Sequence, residues 1–133
     1  AMRLALSRAE LAPGDIDYVS AHATSTPGGD GEEATAIADV FGAHRDSLHV
    51  SGVKSTTGHL LGGDGAMGVF AATLAVQQGI VPPTLNLDQV DPVCAALGLN
   101  YTPREAVRKP VRAALANSFG FGGTNASLVV ARP

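Results

Sequence analysis

Between Leu60 and Val76 the chain consists mostly of glycine, alanine and larger apolar residues, and Asp64 is its one charge. Such a run reads as a helix, yet glycine costs about 1 kcal/mol relative to alanine in a helix interior. A helix of this composition is favoured where the missing side chains let other backbone approach closely. It is therefore expected to be the buried helix, running from Leu60 to Val76 and stopping at Gln77-Gln78-Gly79. Its nearly apolar part, Ala66 to Val76, falls short of the ~20 residues a bilayer requires.

The segments around it alternate strand and helix. Met2, Ala5, Leu6 and Ala9 recur at helical spacing before Pro13-Gly14, and Ile16 to Val19 reads as a strand. Gly28-Gly29 reads as a loop, with Asp30 as N-cap and Glu33 as its capping-box partner. Ala34, Ile37, Ala38 and Phe41 form one apolar face, closed by Gly42. Leu48 and Val50 bracket a second strand, and Leu99 to Tyr101 a short one. Pro103 to Pro110 reads as a surface excursion, and the runs Val111–Asn117 and Ala126–Ala131 as an antiparallel pair. The class is α/β, with residues 1–133 forming one domain; a chain this long buries roughly two thirds of its unfolded surface. A net charge of −3 gives no electrostatic reason to expect nucleic acid or an anionic membrane. One cysteine and no apolar leader pattern lead to a cytoplasmic expectation. The chain opens on Ala1 inside a helical pattern with no strand before it, so it reads as a fragment.

Three strands release polar or glycine-rich loops: Ser20-Ala21-His22-Ala23-Thr24-Ser25-Thr26-Pro27, Lys54-Ser55-Thr56-Thr57-Gly58-His59, and Asn117-Ser118-Phe119-Gly120-Phe121-Gly122-Gly123-Thr124-Asn125. Ligands of open α/β sheets bind beyond the carboxyl ends of strands, so His22 and His59 are the leading functional candidates. A neutral imidazole donates one N–H to an oxyanion and titrates near working pH. Lys54 is expected to have a buried partner. The threonines offer hydroxyls to an amide-containing arm or cap their own loops. The glycine-rich turn lacks a Walker lysine and precedes a strand, which argues against nucleotide. Its glycines instead let backbone approach a substrate, with Phe121 as a mobile gate. The four histidines show no metal-ligand spacing. Cys94, in a proline-bounded excursion, reads as buried filler.

Those loops, with Val81-Pro82-Pro83-Thr84-Leu85-Asn86-Leu87, resemble the C-terminal part of a β-ketoacyl-[acyl-carrier-protein] synthase, nearest to synthase II. The resemblance covers nearly the whole chain. It implies a thiolase-like C-terminal half, a mixed sheet packed with helices, lacking its first (central) strand. It implies decarboxylative Claisen condensation in fatty acid elongation. An acyl group sits on a cysteine of the missing N-terminal half, and malonyl-[acyl-carrier-protein] loses carbon dioxide to form the attacking carbanion. His22, His59 and Lys54 match the catalytic residues. Thr24 and Thr26 match contacts to the phosphopantetheine arm, and Phe119, Phe121 and Gly122 complete the implied substrate-binding set. No cofactor or metal is implied beyond the carrier's own phosphopantetheine. The implied partners are acyl carrier protein, the N-terminal half and a second subunit in a homodimer.

Two departures stand out. Many family members carry glutamate nine positions after the second histidine, paired with the lysine, where this chain has Gly68. Asp64 lies one helical turn earlier on the same face and is expected to supply that carboxylate. Glycine there is also similar to polyketide ketosynthases, which makes a polyketide enzyme one alternative; a non-catalytic chain-length-factor-like partner and a carrier-binding module using Arg104, Arg108 and Lys109 are the others. The absent first strand is expected to leave the strands before His22 and after Val111 without a shared neighbour. On that premise the isolated polypeptide is expected to be poorly stable and inactive.

Overall fold

The computed structural model describes residues 1–132. Its main sheet has four strands: β1 (Tyr18–Ser20), β2 (His49–Ser51), β5 (Ala113–Gly120) and β6 (Thr124–Ala131), in spatial order β2-β1-β5-β6. The first three are parallel and β6 returns antiparallel to β5. Helices α1 (Met2–Ala9) and α2 (Pro27–Phe41) precede β2. They are followed by the short α3 (Lys54–Thr57), the long α4 (Asp64–Gln78) and the one-turn α5 (Pro92–Ala95). A small ribbon pairs β3 (Ile80–Val81) with β4 (Val107–Arg108).

Side-chain alternation along the strands explains the layering. Val19, Ala113 and Leu115 join a core with Met2, Leu6, Ile37 and Phe41 from α1 and α2. Tyr18, Ala114 and Ala116 join a second core with Ala72, Ala75 and Val76 from α4. The sheet is thus covered on both faces, as parallel strands require. The small residues of α4 make its close approach possible. Ala72 and Ala75 are fully buried, and a side-chain carbon built on Gly68 lies 3.6 Å from Ser20 Oγ and 3.8 Å from Ala116 Cβ. Gly79 ends α4 at φ +66°, with Lys109 carbonyl oxygen 3.0 Å from where a Cβ would stand, so both conformation and space demand glycine.

Several expectations are corrected. No strand is missing between the two named in the sequence: β1 hydrogen-bonds directly to β5, Tyr18 opposite Ala114 and Ser20 opposite Ala116. The premise for instability of the isolated chain therefore fails at that position, and within the described residues the open edges are those of β2 and β6. The buried helix begins at Asp64, because Leu61–Gly63 form a 3-10 turn and Leu61 has positive φ. Helix α2 begins at Pro27, taking Gly28-Gly29 into its first turn, because proline's fixed φ suits the opening of a helix. Leu99–Tyr101 contributes only an isolated bridge from Asn100 to His49, and the excursion after Pro103 contains β4. Among the described residues no helix is long and apolar enough to cross a membrane.

Asp17, just before β1, ties the start of β5 down. Its carboxylate accepts from the Arg112 backbone N–H at 2.7 Å and from the Arg112 guanidinium at 2.9 and 3.0 Å. Burial resists ionisation of Asp17, but the bonds and charge of Arg112 outweigh it and hold the pKa below the ordinary carboxylate value. The stabilisation is complete above about pH 3.9 and is lost as pH falls through the lower folded-state value. Urea midpoints across pH should show wild type ahead of Asp17→Asn at neutral pH, with the gap closing below that window. A gap independent of pH would contradict the ion pair's role.

Candidate active site

Both leading histidines stand where parallel strands of the sheet deliver their loops. β1 runs out through Ala21 to His22, and β2 runs out through Gly52 and Val53 into α3, whose end at Gly58 (φ +74°) turns the chain to His59. Their ring centroids lie 6.2 Å apart, with planes at 89°. Lys54 opens α3 between them, with its side chain only 10% exposed. Its Nζ donates to the His22 carbonyl at 2.5 Å and lies 3.3 Å from His22 Nδ1. Asp64 Oδ2 is 3.6 Å from the same Nζ and also contacts His59 Nδ1.

The electrostatics follow from burial and charge. Burial, then the nearby Lys54 charge and His59, push the His22 imidazole below its ordinary pKa, so the neutral ring prevails at neutral pH. With Nδ1 facing the lysine ammonium, the ring proton belongs on Nε2, which leaves that edge as a hydrogen-bond donor. His59 Nδ1 accepts the Leu61 backbone N–H at 3.1 Å. Burial opposes charge on Asp64, but the Leu60 N–H at 2.8 Å, Lys54 and His59 prevail and hold it below the ordinary carboxylate value. Two imidazoles and a lysine amine thus cluster at one end of the sheet, an arrangement suited to an anionic oxygen.

The other sequence candidates divide. Phe119 packs on His22 with ring centroids 5.5 Å apart. Phe121 stands fully exposed at the tip of the β5–β6 hairpin, and Gly122 there has φ +77°. The glycine-rich segment is mostly strand: Asn117 to Gly120 pair with Ser127 to Thr124, and the turn is only Phe121–Gly123. Thr24 and Thr26 lie beside His22 on the same loop, their hydroxyls 3.3 Å apart. Cys94 is buried, and burial pushes its thiol up, which disfavours the thiolate. It lines a mostly apolar cleft with Ala21, Ile37, Val50 and Tyr101 that includes neither His22, Lys54 nor His59. His49 is engaged with Thr102 at 3.0 Å, and the His44 ring packs over Gly14. Among the described residues no cluster of three or more His, Cys, Asp or Glu is suited to a metal.

One residue was misread. Glu33 makes no capping box; it is 6% exposed inside the fold. Its carboxylate accepts the backbone N–H groups of His22 and Ala23 at 2.9 Å each and the Asn117 side-chain amide at 3.0 Å. Asn117 Oδ1 in turn accepts from Ser127 Oγ at 2.7 Å. Burial pushes the Glu33 carboxyl up, opposed by those donors. The available signal was positional: Glu33 stands one helical turn before Ile37, on the apolar face of α2, so it points inward. The Asp30 carboxylate accepts instead from Ser25 N at 3.0 Å, holding the loop to the first turn of α2.

Residues 1–88 match the model described as beta-ketoacyl synthase, C-terminal domain. The chain is 48% identical over 134 aligned positions to the mitochondrial 3-oxoacyl-[acyl-carrier-protein] synthase of Arabidopsis thaliana, covering 98% of this chain and 28% of that protein. It is 44% identical over 131 positions to 3-oxoacyl-[acyl-carrier-protein] synthase 2 of Coxiella burnetii, covering 98% and 31%. Among solved structures it superposes with TM-score 0.91 and 33% identity on a chain of the AntDE:AntF assembly, a type II PKS acyl-carrier protein in complex with its ketosynthase. That match covers 98% of this chain and 31% of the other. The chain belongs to the beta-ketoacyl synthase family, within its C-terminal domain, and spans about a third of the length of these relatives.

Proposed function

We propose that this chain carries the enolate-stabilising half of a 3-oxoacyl-[acyl-carrier-protein] synthase that elongates acyl chains in fatty acid synthesis. The observation that carries the reading is the convergence of His22 and His59, 6.2 Å apart, with Lys54 between them. In the proposed step malonyl-[acyl-carrier-protein] loses carbon dioxide, and the bonding pair left on its α-carbon delocalises onto the thioester oxygen as an enolate. Imidazole N–H groups on that oxygen favour the transition state over the ground state. The carbanion then attacks an acyl thioester on a cysteine supplied by sequence outside these residues, and the cysteine leaves as thiolate. Thr24 and Thr26 line the approach of the phosphopantetheine arm, and Phe119, Phe121 and Gly122 border the acyl end. The working assembly is a cytoplasmic homodimer with acyl carrier protein as partner. The carrier-bound ketosynthase among the structural relatives supports that partner.

A second reading follows from Gly68 and that same relative, a polyketide ketosynthase; likeness to a ketosynthase/chain length factor structure, at 38% identity and TM-score 0.90, adds a chain-length-factor-like subunit that binds the carrier without chemistry. Assays on the full-length protein separate a condensing enzyme of either kind from the non-catalytic subunit. Acyl transfer to the enzyme, carbon dioxide release and 3-oxoacyl product from malonyl-[acyl-carrier-protein] are expected. Salt-sensitive carrier binding with no carbon dioxide release would replace the leading reading with the non-catalytic one.

A further inference from the structure

Asp64 is the first residue of α4, and its side chain is only 4% exposed. A buried carboxylate is costly unless compensated by charge and hydrogen bonds. Helix capping alone does not require one, since serine or asparagine serves as well. The compensation here is specific. Oδ1 accepts the Leu60 N–H at 2.8 Å, which fastens the turn carrying His59. Oδ2 is buried, has no hydrogen bond of good geometry, and lies between Lys54 Nζ at 3.6 Å and His59 Nδ1. The N-terminal end of a helix also favours negative charge at this point.

The contacts link both imidazoles to a single carboxylate. On one side Asp64 holds the Leu60 N–H next to His59; on the other it lies against Lys54, whose Nζ reaches the His22 carbonyl and Nδ1. Gly68 supplies no charge, and a side-chain carbon there points at Ser20 and Ala116 of the sheet. We propose that Asp64 is the positioning residue for the condensation: it fixes Lys54 and, through the Leu60 N–H, the turn that carries His59, and through Lys54 it sets the His22 ring, so both imidazoles meet one oxyanion. The assignment rests on the condensing-enzyme reading above.

The test uses the full-length synthase with Asp64→Asn, which keeps the volume and the Leu60 acceptor, and Asp64→Ser as a second uncharged variant should the first fold poorly. The readouts are acyl loading of the enzyme, carbon dioxide release from malonyl-[acyl-carrier-protein], KM for that substrate, and the thermal midpoint. Misplacing the donors should lower kcat for carbon dioxide release about 10²-fold. Loading and KM should stay within about two-fold, because the interaction serves the transition state rather than binding. Unchanged release overturns the assignment. So does an equal loss of loading and release, which marks a merely structural aspartate. A wild-type enzyme that releases no carbon dioxide overturns the condensing reading, and this assignment with it.

Discussion

Replacing either His22 or His59 with alanine in the full-length protein should lower the rate of carbon dioxide release from malonyl-[acyl-carrier-protein] by ~10²–10³, the usual consequence of removing one oxyanion donor. The expectation follows from placement. The two rings sit beyond adjacent parallel strands, and each has its Nδ1 occupied, His22 by Lys54 and His59 by the Leu61 N–H. Occupied Nδ1 atoms leave the Nε2 edges for the substrate. Glutamine at either position keeps a donor and should recover part of the loss, whereas asparagine is too short to reach the same point. Equal activity of the alanine and glutamine variants would show that something other than hydrogen-bond donation is lost.

Glu33→Ala should be the most destabilising single change in the site, by about 3–5 kcal/mol. Three donors converge on that carboxylate: the His22 and Ala23 N–H groups and the Asn117 amide. Truncation strands all of them in a buried place, at about 1–3 kcal/mol for each unsatisfied group, less whatever water can enter. Against a total stability of about 5–15 kcal/mol for a domain, that is a large share. Glu33→Gln should also destabilise, though less, because its amide nitrogen must face one of the donors. Both variants should lose activity as well, since the same bonds hold the backbone that carries His22. Urea unfolding monitored beside the condensation assay checks both effects. A Glu33→Gln enzyme as stable and active as wild type would show that the three contacts are not load carriers in solution.

Much of the site was legible in the sequence because its chemistry is carried by short loops. His22 and Lys54 sit just beyond the ends of β1 and β2, and His59 follows the single turn of α3; strand ends in α/β sheets are where polar residues gather. Asp64 stood out as the only charge in an otherwise apolar helix, so its environment was a question the sequence itself posed. Glu33 was only partly legible: its place on the apolar side of α2 pointed inward, but its spacing from Asp30 fits a local cap as well as a buried clamp, and packing decides. The β1–β5 pairing was not legible either. Strands almost a hundred residues apart in the chain carry no pattern that states which neighbour each takes, and parallel pairing depends on the helices that cover both faces. The glycine-rich turn misled because glycine signals freedom, while most of Asn117 to Thr124 is held in the ladder of an antiparallel hairpin.

The central claim is that His22 and His59 act on one developing oxyanion. A double-mutant cycle on carbon dioxide release tests it most directly, using His22→Ala, His59→Ala and both together in the full-length enzyme, with acyl loading as an internal control. Donors to a shared oxygen act as a unit, so the double variant should lose much less than the product of the two single losses, while loading persists in all three. Losses that multiply, or a single variant that releases carbon dioxide at the wild-type rate, would contradict the shared site.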